Sequence, residues 1–241
     1  GCGAYTLQLF FDFAGYSAMA IGLGLMLGFH FPENFNQPYL ARSIQDFWRR
    51  WHMSLSSWLR DYLYIALGGN RNGAWKTYRN LFLTMAIAGL WHGGDSWNYL
   101  LWGAAHGVAL CVDRLWSRSS LPRIPSWLSH TLTLLFVFMA WTLFRAQDFA
   151  SALNMYAGQL GLHEFALGDA LSVTLRSAHG LAALLGVACI IAPLFKHRYE
   201  ERFGAQFWFA PMAALWPVAG FMLSFALIAS REAVPFLYFQ F

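Results

Sequence analysis

Charge is what this sequence has least of. Only 12% of its 241 residues are Asp, Glu, Lys or Arg, about half the ~25% of a soluble globular domain. Lysine is nearly missing, with Lys76 and Lys196 standing against 14 arginines. Cysteine is limited to Cys2, Cys111 and Cys189, which form no CxxC pair and no metal-ligand spacing, so neither a disulfide scaffold nor a zinc module is available. The hydrophobicity excludes intrinsic disorder, and an ordinary nucleic-acid-binding domain would need a soluble body to carry its basic patch. No P-loop, HExxH or GxSxG occurs, which leaves nucleotide hydrolysis and zinc or serine hydrolysis without support. There is no internal repeat, no low-complexity tract and no signal peptide to read.

What fills the space is apolar: 58% of residues are hydrophobic and 18% aromatic. A membrane-spanning helix needs about 20 mostly apolar residues. Six windows free of Asp, Glu, Lys and Arg meet or approach that length: Phe13–Pro32, Asn80–Gly94, Ser96–Val112, Ile124–Phe144, Ser177–Phe195 and Phe203–Ser230. The second and third are shorter and are split by Gly93-Gly94-Asp95, so they read as helices meeting at a break. A seventh stretch, Phe149–His163, has helical apolar spacing with Asn154 and Gln159 and predicts an interfacial or loop helix. The fold class is therefore all-α, a polytopic transmembrane helical bundle with re-entrant or interfacial helices. The chain reads as a single membrane domain over 1–241, and its abrupt start at Gly1 suggests a piece of a longer protein. The Lys/Arg asymmetry of the later connections places Arg114–Arg123 and Lys196–Arg202 on the cytoplasmic side and the C-terminus outside.

The few charges are not spread evenly. Arg42 to Arg79 carries seven basic and two acidic residues, a net +5, while the rest of the chain nets −1. Within it, Ser43 to Leu67 reads as one helix, opened by a Ser43/Asp46 capping-box pattern and closed by Gly68-Gly69. Arg49, Arg50, Arg60 and Asp61 are too costly for lipid-facing hydrocarbon. The dense aromatics Phe47, Trp48, Trp51, Trp58, Tyr62 and Tyr64 suit an interface. Two readings follow: a helix resting on anionic headgroups, or one that dips into the protein and carries His52 into a polar cavity. Helical spacing would set Trp48, Arg49, Leu55 and Ser56 beside His52.

Of the eight histidines, His163 and His197 lie among polar neighbours, and His30, His130 and His179 near window ends, where an imidazole reaches the interface without a function. His106, in Trp-Gly-Ala-Ala-His-Gly, sits mid-window, where either a functional group or packing against a neighbouring helix accounts for it. His92 has the strongest physical case. It ends the apolar run Leu81 to Trp91 just before Gly93-Gly94, where a neutral imidazole could take a proton from a hydroxyl. The ordinary alternative is a histidine capping the last carbonyls of a helix.

The longer motifs are Phe11-Asp12-Phe13-Ala14-Gly15-Tyr16-Ser17, Phe31-Pro32-Glu33-Asn34-Phe35-Asn36, Phe47-Trp48-Arg49-Arg50-Trp51-His52-Met53-Ser54-Leu55-Ser56, Arg60-Asp61-Tyr62-Leu63-Tyr64, Leu67-Gly68-Gly69-Asn70-Arg71 and Gly89-Leu90-Trp91-His92-Gly93. Together with Phe144-Arg145-Ala146 and the terminal Pro235 to Phe241, they resemble the membrane-bound O-acyltransferase family, in its bacterial alginate O-acetyltransferase branch and its C-terminal half. The resemblance is densest from residue 11 to 107. It implies acyl transfer, most simply acetyl, from a thioester donor (acetyl-CoA or carrier-bound) towards hydroxyls of an exported polysaccharide such as alginate. It implies His92 as the catalytic histidine and His52 as the second site residue, positioning or polarising. Arg49, Arg50, Trp51, Ser54, Arg60, Asp61, Asn70, Trp91 and His106 are the candidate substrate-binding residues. The resemblance brings no metal and no bound cofactor. It implies a multi-pass protein of the inner membrane, with membrane lipids and periplasmic acetylation proteins as partners and no nucleic acid. D-alanyl transfer to teichoic acid, and a non-catalytic channel or flippase subunit of a secretion complex, are the rival readings.

Overall fold

In the computed structural model the described residues are 2–93, 96–162, 180, 183–191 and 222, and all their regular structure is helical. The chain divides into two compact units, Gly1–Ala183 and Leu184–Phe241. In the second, residues 184–191 are helical. The window Phe203–Ser230 apart from residue 222, both ends of Ser177–Phe195, and His163, His179, His197 and the terminal Pro235–Phe241 fall outside the described residues.

The first unit is built on four long helices and a folded-in segment between the first two. Helix α1 runs Cys2–Met26, α4 Ala74–His92, α5 Trp97–Arg118 and α6 Ser126–Arg145. Of these, α1 and α6 are long and apolar enough to cross a membrane. The expected break after His92 is present, since α4 ends there and α5 begins at Trp97 under a cap in which Ser96 Oγ accepts from the Asn98 amide. The predicted amphipathic stretch after α6 forms α7, Phe149–Gln159, capped by Asp148, whose carboxylate accepts from the Ser151 amide.

Between α4 and α5, glycine sets the geometry. A Cβ on Gly89 would stand 2.2 Å from the Tyr99 carbonyl oxygen, and one on Gly103 would stand 2.2 Å from that of Met85. One turn further, a Cβ on Gly107 would meet Phe82 Cα at 2.9 Å. Small residues at a helix crossing admit backbone-to-backbone packing. The Gly-Ala-Ala-His-Gly run of α5 is thus a crossing point, and it fixes His92, three residues beyond Gly89, against α5.

The basic segment departs from expectation. In place of one helix over Ser43–Leu67 there are α2 (Ile44–Trp48), α3 (Met53–Trp58) and a π-helical turn over Leu59–Tyr64. The start is as read: Ser43 Oγ accepts from the Asp46 amide at 3.1 Å. The stop is as read too, with Gly68 and Gly69 at φ +102° and +54°. The interruption comes from His52, a non-glycine residue at φ 44°, a backbone conformation that costs about 1 kcal/mol or more. What offsets that strain is pairing with the segment after α1: Asn36 N donates to Arg50 O and Met53 N to Asn34 O, both at 2.9 Å. Side-chain spacing read along a continuous helix could not anticipate this.

Two further ties hold α2 in place. Asp113 on α5 accepts from the Gln45 amide at 2.9 Å, and His130 on α6 meets the Ala41 carbonyl through Nδ1 at 3.0 Å. His130 is therefore a tether rather than a residue merely reaching an interface. Beyond Gly69, Asn80 is fully buried and donates through Nδ2 to the carbonyls of Leu67 (3.0 Å) and Gly69 (2.9 Å). Arg79 in turn donates to Asn80 Oδ1. This clamp shapes the Leu-Gly-Gly-Asn-Arg turn.

Candidate active site

His52 and His92 come from different elements and are joined by a run of aromatic rings. The His52 ring meets Phe13 of α1 edge-on at 4.7 Å, and Phe13 meets Phe35 at 5.0 Å. Phe35 packs on Trp51, and Trp51 on Trp141 of α6, each at 5.0 Å. Trp141 stacks on Trp102 of α5 at 5.9 Å, and Trp102 meets the His92 ring at 5.3 Å and 87°. Phe144 closes the other side of His92, also at 5.3 Å. Edge-to-face geometry at these distances is the favoured aromatic arrangement, so both imidazoles have fixed orientations.

His52 also has a polar side. Its Nδ1 lies 3.2 Å from Asn34 Oδ1, which accepts from the Ser54 amide at 3.2 Å and from Ser54 Oγ at 3.0 Å. Asn34 Nδ2 donates to Ser17 Oγ on α1 at 3.1 Å. One amide side chain therefore gathers α1, the 31–37 segment and the start of α3 around His52.

The other candidate residues separate into two groups. Trp51 is buried within the aromatic run. Arg50 pairs with Asp46 at 2.7 Å and braces α2. His106 is fully buried between Phe47, Trp48, Trp102 and Phe136, and its Nδ1 accepts from Trp48 Nε1–H at 3.2 Å. That geometry packs His106 among aromatic rings and turns its Nδ1 to Trp48. Ser54, although exposed, bonds into the Asn34 cluster. Arg49, Asn70 and Trp91 are exposed. Arg60 and Asp61 form a bidentate pair with each other on the surface, at 2.7 and 3.0 Å. Trp91, although exposed, meets the His92 ring at 5.0 Å and 66°.

Sequence reasoning did not single out Asn34, Ser17, Phe13, Phe35, Trp102 or Trp141. The first four lie within motifs quoted for the resemblance, but only the chain reversal at His52 brings them together. Among the described residues no group of three His, Cys, Asp or Glu converges as a metal site would require.

Residues 3–156 match the profile of MBOAT, the membrane-bound O-acyltransferase family. The chain is 53% identical over 169 residues to a Pseudomonas aeruginosa protein named probable alginate O-acetylase AlgI, covering 70% of this chain and 32% of that one. It is 50% identical over 192 residues to the Azotobacter vinelandii protein of the same name, covering 80% and 38%. It is 47% identical over 170 residues to a Helicobacter pylori peptidoglycan O-acetyltransferase, covering 68% and 32%. The chain thus spans about a third of the length of these curated relatives. The matched stretch contains α1 to α6, and with them both histidines and the whole aromatic run between them. The chain belongs to the membrane-bound O-acyltransferase family.

Proposed function

We propose that the protein transfers an acyl group, acetyl in the first instance, from a thioester towards hydroxyls of an exported polysaccharide such as alginate. The observation that supports this best is His92, held edge-on between Trp102 and Phe144 at the break between α4 and α5. An imidazole fixed there in largely apolar surroundings suits general-base work on a neutral hydroxyl. His92 takes the hydroxyl proton as the oxygen attacks the thioester carbonyl carbon. The carbon–sulfur bond then breaks, and the proton passes to the departing thiolate, leaving an ester and a free thiol. Positioning supplies the remainder of the acceleration, which is the role assigned to the rigid aromatic run and to His52. The donor is acetyl-CoA or a carrier-bound thioester, and no metal takes part in the step.

The setting that goes with this reading is a multi-pass protein of the inner membrane, working with periplasmic acetylation proteins. The names of the relatives support alginate as the polymer, in preference to D-alanyl transfer. Acetyl content of the exported polymer tests the reading. A deletion strain loses acetylation, the wild-type gene restores it, and His92→Ala at normal abundance does not. Full restoration by His92→Ala would leave a non-catalytic channel or flippase role instead.

A further inference from the structure

We infer that Asn34 is a positioning residue of the acyl-transfer site, locking His52 in the tautomer that carries its proton on Nδ1 and leaves Nε2 as the ring's acceptor. The inference rests on the proposed acyl transfer for its consequence, and on hydrogen-bond geometry alone for the tautomer. The Asn34 amide has one orientation consistent with its neighbours. The Ser54 backbone N–H, 3.2 Å away, is a donor and nothing else, so the atom facing it is the carbonyl oxygen Oδ1. Turning the amide over would set NH₂ against N–H.

With Oδ1 so fixed, His52 Nδ1 at 3.2 Å faces an acceptor and makes a hydrogen bond only when it carries the proton. The alternative donor to Nδ1, the Ser54 hydroxyl, is 3.4 Å from the ring but 3.0 Å from Asn34 Oδ1. Its single proton goes to the closer oxygen. Giving it to Nδ1 would leave the imidazole and carbonyl lone pairs opposed at 3.2 Å. The second end of the amide is held as well, through Nδ2 to Ser17 Oγ. The left-handed backbone at His52 and the Met53 N to Asn34 O bond deliver the ring to this partner.

The chemical consequence is specific. A neutral His52 with its proton on Nδ1 offers a lone pair at Nε2 and no proton there. Nε2 can accept from a hydroxyl or a thiol, but it cannot donate to a thioester carbonyl. His52 is therefore assigned to the hydroxyl or thiol side of the reaction, holding a donor group in line for His92, and polarisation of the carbonyl falls to other groups.

The first test uses nitrogen NMR of histidine-labelled intact protein. Wild type should show His52 protonated at Nδ1 and bare at Nε2, and Asn34→Leu should move population to the other tautomer. A wild-type His52 protonated at Nε2 overturns the inference, whether or not acyl transfer is the reaction. The second test is kinetic. Asn34→Leu should lower kcat about ten- to a hundredfold, the scale found when the partner orienting a metal-bound imidazole is lost. Asn34→Asp, which keeps an acceptor, should recover most of that loss. In a His52→Ala background Asn34→Leu should cost nothing more, since residues acting as one unit are not additive. Equal damage from Asn34→Asp, or a full further loss in the His52→Ala background, would make Asn34 a purely structural residue and overturn the assignment.

Discussion

Gly89→Ala adds one methyl group where two helix backbones touch. The new Cβ would sit 2.2 Å from the Tyr99 carbonyl oxygen, whereas ordinary contact begins at 3.4 Å. Neither partner is a flexible side-chain end: the other near atoms are Gly103 Cα and N, at 3.0 and 3.1 Å. The helices must therefore separate by roughly 1 Å, because no rotamer change relieves a clash between a Cβ and a backbone carbonyl. Overpacking of this kind costs about 1–3 kcal/mol. The functional effect should be larger in proportion, because His92 follows Gly89 within one turn while Trp102 precedes Gly103 directly. A displacement of about 1 Å at a reacting group can cost on the order of 10²-fold in rate. The assay is thioester-dependent acyl transfer in isolated membranes, normalised to the amount of protein. Gly22→Ala is the control, since nothing lies within 4 Å of a Cβ there. It should keep wild-type rate and abundance. If Gly89→Ala also kept both, the close crossing of α4 and α5 would not be what positions His92.

Other perturbations probe separate parts of the structure. Asn80→Ala strips the Leu67 and Gly69 carbonyls of their donor and should cost about 1–3 kcal/mol, read as a lower melting temperature in detergent. Asn80→Asp should do worse, because a carboxylate oxygen then faces two carbonyl oxygens. Asp113→Ala removes the acceptor for the Gln45 amide at the first turn of α2 and should raise hydrogen exchange at Gln45 without altering α6. The Asp148 carboxyl is held below its usual range by the Ser151 hydrogen bonds, side-chain and backbone. Its support of α7 should therefore be complete above the ordinary carboxylate value and should fade as pH falls through the lower folded one. Hydrogen exchange at the start of α7 would show this, and Asp148→Ala should abolish the dependence.

Part of this organisation was written along the chain and part was not. The α4–α5 break was legible because His92-Gly93-Gly94 ends an apolar run. The cap at Ser43 and the stop at Gly68-Gly69 were legible for the same reason, being local chemistry. The interruption at His52 was not, since no glycine or proline marks it and the strain is compensated by Asn34 and Asn36, far away in sequence. Of the neighbours that periodicity gave His52, Ser56 is bonded to it through the backbone, but the partners of its ring, Phe13, Asn34 and Ser54, were not anticipated. The surface pairing of Arg60 with Asp61 was not anticipated either. Trp102 and Trp141 were indistinguishable from other membrane aromatics until the glycine crossing brought α5 against α4 and α6 carried Trp141 beside it.

The central claim is that His92 acts as the base in acyl transfer, and the rate of that transfer tests it directly. In membranes containing equal amounts of protein, His92→Ala should lower thioester-dependent acylation by about 10²–10⁴-fold, the typical contribution of a general base. A rate unchanged from wild type would contradict the claim.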